Sequence, residues 1–211
     1  MKIPLFLLVL LALGGCNLAV TRTPLFDKSD TLGAPVMKPG VWRAQNDGDC
    51  PVDEAKPLID WPKCGGGIVF SQGTVGYFNR DGETPVWTVE PFFLAAGDPA
   101  VLQAAAHVGG DFTMKAPAYI YAGVEVTARD AAGRATGLAF WPVQCGPPDP
   151  AGDRESLLPQ MTKNLLPGMN AVSKDAFCST TSKDVMRAAA KQSRQWIPKV
   201  ITGRWVRDGE R

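Results

Sequence analysis

Apolar and polar residues alternate most regularly in the stretch 118–129. The alternation is clearest in its second half, where Val124, Val126 and Ala128 are separated by Glu125, Thr127 and Arg129. This period of two is that of a strand with one buried face. A second apolar stretch follows at 134–144, and the residues between, Asp130-Ala131-Ala132-Gly133, favour a turn. The pattern predicts a β-hairpin over these two stretches.

Shorter apolar runs bounded by turn residues predict further strands. Gly65-Gly66-Gly67 precedes one run, and Asn79-Arg80-Asp81-Gly82 separates two others. Glycine, asparagine and aspartate adopt the backbone conformations that tight turns require. The predicted strands cover 40–43, 68–70, 74–78, 85–89, 92–95 and 203–207. The 22 glycines and 18 prolines agree with a chain of many turns and few long helices.

A short helix is predicted in the middle of the chain. Asp98 has the side chain of an N-cap, and Pro99 suits the first helical position. The alanine-rich stretch 100–106 would then form the helix, and Gly109-Gly110 would end it.

A longer helix is predicted near the carboxyl end. Thr181 and Asp184 have the spacing of a capping box, in which an N-cap side chain is followed three positions later by an acidic residue. The helix then runs to about Ile197, where Pro198 ends it. A single helical turn is also predicted at 155–163. These elements together predict an α+β fold: a mainly antiparallel, curled or partly closed β-sheet with a short mid-chain helix and a C-terminal helix packed on it.

The first sixteen residues follow a different pattern. Lys2 supplies a positive charge, the stretch 3–13 is apolar, and Gly14 and Gly15 precede Cys16. A charged start, a short apolar core and a small-residue end are typical of a secretory signal peptide. The core is only about half as long as a helix must be to cross the ~30 Å hydrocarbon layer of a bilayer.

The end of this segment, Leu13-Gly14-Gly15-Cys16, resembles the lipobox of bacterial lipoproteins. The resemblance implies that the Cys16 sulfur is lipidated, that the chain is cut before Cys16, and that the new amino terminus is acylated. The family's inner-membrane retention signal is an aspartate after the cysteine, and Asn17 stands there instead. The resemblance therefore implies an outer-membrane location facing the periplasm. An ordinary signal peptide followed by a chance cysteine is the alternative.

The chain is accordingly expected to have three parts. Residues 1–15 are the signal peptide, 16–39 are a lipidated amino terminus with a flexible tether, and 40–211 are a single β-rich globular domain. The tether is expected because its polar, Pro- and Gly-containing stretch has no sustained apolar period and buries too little to offset its ordering entropy. The alternative is that the apolar side chains of this stretch dock on the domain; they are Leu25, Phe26, Leu32 and Met37.

Composition excludes several classes of function. The chain has 22 Lys and Arg against 21 Asp and Glu, so no excess of positive charge supports binding to nucleic acid. His107 is the single histidine, which leaves few schemes for metal binding or acid–base catalysis. It stands near the end of the predicted mid-chain helix, where it would favour the helix dipole. We predict no enzymatic activity and no cofactor.

Cysteine content agrees with export. Setting Cys16 aside leaves an even number of cysteines, which in an exported chain indicates disulfides. Of the pairings available, the local one, Cys50–Cys64 with Cys145–Cys178, is expected because short loops close most readily. A zinc site is the alternative, although the spacings lack the close cysteine pairs of metal motifs.

Three groups of residues are candidate sites. On the C-terminal helix, basic residues at steps of four, four and three share one face and would contact an anionic surface such as lipid headgroups or cell-wall polymer. These residues are Lys183, Arg187, Lys191 and Arg194. The alternative is a solvated helix face.

The second group is acidic and the third aromatic. Oxygen ligands near Cys50 could hold calcium, but their order departs from the loop that binds it; they are Asn46, Asp47, Asp49, Asp53 and Glu54. The aromatic residues of the strands could line a ligand pocket or could form core. They are Trp42, Trp61, Tyr77, Trp87, Phe92, Phe93, Tyr119, Tyr121, Phe140 and Trp141.

These observations predict a lipid-anchored, non-enzymatic cell-envelope protein with a structural or interaction role. Its expected partners are the membrane, through the lipid, and an envelope protein or the cell wall. The alternative is a small binding or inhibitor module, with a pocket for a lipophilic molecule or a loop that blocks a hydrolase.

Overall fold

The computed structural model describes residues 17–45, 50–80, 84–106, 118–147, 164–172, 177–197 and 200–209. The strands in these ranges are β1 Leu18–Thr21, β2 Gly40–Gln45, β3 Gly67–Ser71, β4 Thr74–Asn79, β5 Val86–Ala95, β6 Ala100–Ala106, β7 Ala118–Arg129, β8 Ala135–Pro142, β9 Asn170–Val172, β10 Phe177–Ser179 and β11 Ile201–Arg207. The α-helix α1 covers Lys183–Trp196, and short 3₁₀ helices cover Lys28–Thr31, Leu58–Asp60 and Lys63–Gly65. None of the helices in these ranges has the length and apolar character to cross a bilayer.

Eight strands form a closed barrel in the order β2-β3-β4-β5-β6-β7-β8-β11. The ring closes because β6 pairs with β7 along its full length and β11 pairs with both β8 and β2. Neighbouring barrel strands are antiparallel. β1 pairs with β7, and β10 and β9 follow outside the barrel, with β1 and β10 parallel. The predicted mainly antiparallel, curled sheet is confirmed, and its closure is complete.

The predicted hairpin at 118–144 is confirmed as β7 and β8. Its turn is built by Asp130, whose Oδ1 accepts hydrogen bonds from the backbone N–H groups of Ala132 and Arg134. Gly133 takes a φ of 78° there, a conformation that favours glycine. Local sequence therefore determines this unit.

The predicted mid-chain helix is wrong, because residues 100–106 form strand β6. Alanine favours helices, but here the backbone is hydrogen-bonded by β5 on one side and β7 on the other. Alternate residues of β6 also serve two apolar layers: Leu102 packs toward the barrel interior, whereas Val101 packs outside it beneath α1. Tertiary pairing overrides the intrinsic preference of the segment.

The predicted flexible tether over 16–39 is wrong for its described part, 17–39. Leu18, Ala19 and Val20 are buried in β1, between β7 and β10. Phe26 is 2% exposed, because it docks beside α1, as the alternative reading of the apolar residues expected. Leu32 stays 89% exposed. The folded body thus begins by Leu18 rather than Gly40, since a four-residue strand is too short to show a period in the sequence.

The interior of the barrel is packed by aromatic and aliphatic side chains. Trp42 meets Phe70 edge-to-face at 5.4 Å between ring centroids, and Phe70 meets Phe92 at 5.3 Å. Tyr77 and Phe140 belong to the same buried cluster. Edge-to-face ring pairs add to the stabilisation from burial alone. Trp42, Tyr77, Phe92 and Phe140 of the predicted aromatic group therefore belong to the core, together with Phe70, which was not in that group.

The predicted C-terminal helix is confirmed, but its N-cap is one residue later than expected. The side chain of Ser182, not Thr181, accepts the Val185 N–H, and Asp184 is not a partner in the cap. Thr180 Oγ1 accepts the Ser182 N–H, which places Ser182 for this role. The helical turn expected at 155–163 lies outside the described residues.

Candidate functional site

The barrel interior formed by the described strands has no room for a ligand. Its cavity measures about 30 Å³ and is lined almost wholly by apolar side chains, with Met37, Leu102 and Val124 among the residues around it. Pockets for small molecules usually measure roughly 300–1,000 Å³. The described barrel interior is therefore filled by its own side chains.

The outer face of β3 carries the segment 50–64, named here the stapled loop, which the Cys50–Cys64 disulfide closes. Its Leu58 and Trp61 are buried against the strand. They lie so close to Gly67 that a Cβ on this glycine would be 2.2 Å from Leu58 Cδ2. Glycine at position 67 therefore permits the loop to pack directly on the backbone of β3.

Four arginines hold the stapled loop to the barrel, and together they are named the arginine clamp: Arg43, Arg80, Arg204 and Arg207. Arg43 donates to the Cys50 carbonyl at 2.8 Å, and Arg207 donates to the carbonyls of Glu54 and Lys56 at 3.1 Å. Arg80 donates to the carbonyls of Leu58 and Ile59 at 2.7 and 3.0 Å. Each planar guanidinium donates along fixed directions, so these contacts define the path of the loop.

Glu54 is the acidic centre of the clamp. Its Oε1 accepts hydrogen bonds from Arg43 at 2.9 Å and from Arg204 at 2.5 Å. The Arg204 hydrogen bond lowers the pKa of the Glu54 carboxyl, against an opposing effect of partial burial, and Arg43 lowers it further. Arg43 and Arg204 face each other across the β2–β11 pair, so without Glu54 two cations would stand side by side.

The clamp gives the loop a rigid outer surface. Residues 58–60 form a 3₁₀ helix in which Leu58 points inward and Ile59 is 46% exposed. Val86 is also exposed, at the start of β5 opposite Asn79. An apolar side chain such as Ile59, held on a constrained loop, loses little entropy on binding, which suits contact with another macromolecule.

Replacing Glu54 by glutamine should loosen the loop without unfolding the barrel. One charge-assisted acceptor shared by two arginines is lost, so the local opening free energy should fall by about 2 kcal/mol. Native-state hydrogen exchange of the amides at 54–61 would measure the change. Asp53→Asn is the control, because asparagine keeps the Oδ1 that accepts the Ala55 N–H and loses only the charge of an exposed 3.9 Å contact with Lys56. Unchanged exchange at these amides in Glu54→Gln would contradict a clamping role.

The four basic residues of α1 fall into two pairs that have different partners. Lys183 pairs with Asp27 and Asp30 at 3.0 and 2.6 Å, and Arg187 pairs with Asp30 at 3.1 Å. These two cations bind the 3₁₀ helix at 28–31 to α1, which is a structural role. Lys191 and Arg194 differ. Lys191 has a 3.9 Å contact with the exposed Asp98, and Arg194 lies over the Trp141 ring at 5.5 Å.

The Asp27 and Asp30 ion pairs should make the position of α1 sensitive to acid. Hydrogen bonds from Ser29 and then Lys183 lower the pKa of Asp27 from its ordinary 3.8 to about 2. The folded-state pKa is depressed, so the contribution to stability is complete above the unfolded value and is lost as the pH falls from 3.8 to about 2. Burial tends to raise the pKa of Asp30, but hydrogen bonds from Lys183, the Asp27 amide and Arg187 lower it overall.

Lys183→Gln should therefore move the Asp27 titration toward pH 3.8, because one of the donors that lower its pKa is removed. Carboxyl carbon chemical shifts followed by NMR against pH would measure it. Lys191→Gln is the matched control, since Lys191 contacts Asp98 instead. An Asp27 titration that is the same in all three proteins would show that the pair is not formed in solution.

The structure also places the predicted cysteines and part of the predicted acidic group. Cys50–Cys64 and Cys145–Cys178 are disulfides, so the predicted pairing is confirmed and the zinc alternative is wrong. Of the acidic group, Glu54 and Asp53 are paired with cations, and no group of potential metal ligands occurs in the described ranges. Asn46, Asp47 and Asp49, together with His107 and Cys16, lie outside those ranges.

The remaining aromatic residues lie outside the barrel. Trp61 and Trp87 pack with the stapled loop, and Trp141, Tyr119 and Tyr121 pack on the opposite side near α1 and the amino-terminal segment. Burial raises the pKa of Tyr121, with the Thr21 hydrogen bond opposing it. Phe93 is partly exposed on β5.

No protein-family model matches the chain, and neither the curated proteins nor the solved structures contain a match. Function must therefore be inferred from the chain's own residues. The arginine clamp has no signal in the sequence, although Gly203-Arg204-Trp205-Val206-Arg207 predicts a strand. The spacing of Arg204 and Arg207 does not show that β11 lies beside β2, more than 150 residues away in sequence.

Proposed function

We propose that this chain is a lipid-anchored cell-envelope protein that acts by binding, without catalysis, through the outer surface of its barrel. The observation that carries the proposal is the filled interior, because it leaves the outside as the place where a partner binds. The clamped stapled loop, with Ile59 exposed, is the surface that we propose for this role. An envelope protein or a cell-wall polymer is the expected partner.

The anchor is supported by the sequence and by cysteine usage. The two disulfides use Cys50, Cys64, Cys145 and Cys178, and the chain has five cysteines. Cys16 is thus left for modification, directly after the Leu13-Gly14-Gly15 sequence of the lipobox. Lipid on this residue would hold the protein at the outer membrane, facing the periplasm, because two or more acyl chains give stable anchoring.

Intact-mass spectrometry of the protein from a bacterial membrane fraction tests the anchor. The expected product starts at Cys16 and carries the mass of the lipid, and the Cys16→Ser variant should lose that mass and leave the membrane fraction. A mature chain with an unmodified Cys16 thiol would contradict the proposed location.

A second function, inhibition of a hydrolase, is favoured by the clamp. A loop that is held by a disulfide and four arginines can fill a cleft without rearranging. Residues 58–60 form a 3₁₀ helix, so the loop lacks the extended backbone of a protease substrate and would block a cleft sterically.

Inhibition assays against cell-wall glycan hydrolases and envelope proteases test this second function. Ile59→Asp should abolish any inhibition, because it places a charge in the contact, whereas Val36→Asp, an exposed apolar position on another segment, should not. The same inhibition by both variants would exclude the stapled loop as the inhibitory surface.

A further inference from the structure

The site of lipid attachment is immediately next to the folded body. Asn17 is already bound to the barrel domain, since its carbonyl accepts the Cys145 N–H at 2.9 Å and its Nδ2 donates to the Gly146 carbonyl at 2.9 Å. β1 begins at the next residue, Leu18. Consecutive Cα atoms are about 3.8 Å apart, so lipid on Cys16 could not be more than one residue from this surface.

We infer that the domain lies directly on a phospholipid bilayer, with the surface around Asn17 and the carboxyl-terminal half of α1 facing the headgroups. The inference rests on the proposed lipid at Cys16 and goes beyond it, because an anchor alone permits a domain that hangs freely on a tether. Here the first bound residue follows the anchor at once, so the bilayer must contact the protein beside it.

Hydrogen bonds show which surface lies beside the anchor. Gln144 donates its N–H to Ser193 Oγ at 2.8 Å, and the next residue, Cys145, donates to the Asn17 carbonyl. Ser193 Oγ and Asn17 O are therefore within about 10 Å of each other, given the spacing of consecutive backbone amides. One turn earlier, the Ala190 carbonyl accepts the Trp141 Nε1–H at 2.8 Å. The carboxyl-terminal half of α1 thus borders the anchor.

The charges of α1 suit this placement. Lys183 and Arg187, in its first half, are neutralised by the carboxylates of Asp27 and Asp30. Lys191 and Arg194, in its second half, remain exposed. Lys191 has a long contact with exposed Asp98, and Arg194 lies 5.5 Å from the centroid of the Trp141 ring. Accessible cations beside an anchor are complementary to the phosphates of an anionic bilayer. Half of the predicted basic face is thereby assigned to lipid.

This placement of the domain on the bilayer also determines which way the stapled loop faces. α1 packs on β7, with further contacts to β8 and β6, whereas the stapled loop packs on β3. In the eight-stranded ring β3 and β7 are four strands apart in either direction, so they lie on opposite sides of the barrel. With α1 toward the bilayer, the stapled loop points away from the membrane, where a soluble or cell-wall partner can reach it.

Lysine labelling on vesicles tests the inference. The chain beginning at Cys16 is coupled through that thiol to a maleimide phospholipid in phosphatidylethanolamine–phosphatidylglycerol vesicles, then treated with a water-soluble amine-reactive ester and analysed by mass spectrometry. Labelling of Lys191 should fall about fivefold relative to the uncoupled chain, because headgroup phosphates pair with and shield it. Lys56 and Lys63, both exposed in the stapled loop, should be labelled equally in the two states.

A variant with about twenty glycine and serine residues inserted between Cys16 and Asn17 is the control. Such a linker spans about 25 Å, so labelling of Lys191 should return to the level of the uncoupled chain. Unprotected Lys191 in the coupled chain, protection of Lys56 instead, or equal protection with the linker would each overturn the inference. Chemical coupling does not depend on lipidation in the cell, so these outcomes are separate from a failure of the proposed native anchor.

Discussion

Gln103→Leu is expected to lower the free energy of unfolding by about 4 kcal/mol, because three backbone groups, two of them in buried hydrogen bonds, would lose their partner together. Gln103 is 1% exposed on β6. Its Oε1 accepts the N–H groups of Leu25 and Phe26, both at 2.8 Å, and its Nε2 donates to the Phe26 carbonyl at 3.0 Å. Leucine is similar in volume but offers no hydrogen bond, so the amino-terminal segment would detach from the barrel.

Equilibrium unfolding in urea would measure this loss. Gln45→Leu is the matched control, because Gln45 is exposed at the end of β2 and its single described side-chain contact, with Thr202, measures 3.3 Å. It should change stability by no more than about 0.5 kcal/mol. A loss below about 1 kcal/mol in Gln103→Leu would show that water replaces the missing hydrogen bonds, and that the segment is not held as described.

Replacing both Cys145 and Cys178 by alanine should destabilise the protein by about 4 kcal/mol, the chain-entropy value for a loop of this length. The two cysteines are 33 positions apart and fully buried. Their disulfide joins the segment after β8 to β10, and β10 pairs with β1. It therefore braces the strand that connects the barrel to Cys16.

The matched control is the double alanine variant of Cys50 and Cys64, whose separation of 14 gives a smaller expected loss of about 3 kcal/mol. Denaturant unfolding measured with both variants should rank them in this order. The Cys50 and Cys64 variant should also open the stapled loop locally, which hydrogen exchange would detect. If the wild type and the Cys145 and Cys178 variant were equally stable, the disulfide would contribute nothing, and the pairing of β10 with β1 and β9 would be enough to hold it.

Both predictions concern how the amino-terminal segment is held. Gln103 binds residues 25 and 26, and the Cys145–Cys178 disulfide braces the strand beside β1. If the protein is anchored through Cys16, a pull on the lipid acts first on β1. The hydrogen bonds of the buried Gln103 side chain, together with the disulfide next to that strand, would then resist detachment of the anchored segment from the domain.

Features that depend on neighbours in sequence were predictable. The β7–β8 hairpin follows from its alternation and from the Asp130 turn, and α1 follows from its apolar face and Pro198. The disulfide pairing also followed, because short loops close most readily. The predicted N-cap of α1 was one residue too early, since Thr181 and Ser182 both carry a hydroxyl that can cap a helix, and only the structure shows that Ser182 accepts the Val185 N–H.

Features that depend on distant partners were not predictable. The alanine-rich segment 100–106 carries a helical preference, and only β5 and β7 on either side make it a strand. Leu18, Ala19 and Val20 have no recognisable period, and only the gap between β7 and β10 gives them a place. The clamp formed by Arg43 and Arg204 around Glu54 requires β2 and β11 to be adjacent.

The sequence by itself predicts an export-type amino terminus, and it determines the local turns, the antiparallel class of the sheet and the carboxyl-terminal helix, because each depends on residues a few positions apart. Only the tertiary structure decides that the sheet closes, that its interior is filled, that half of the basic helix face is neutralised, and that the chain is already bound to the domain at Asn17. These depend on which strands become neighbours, and strand pairing brings together residues that no local pattern relates.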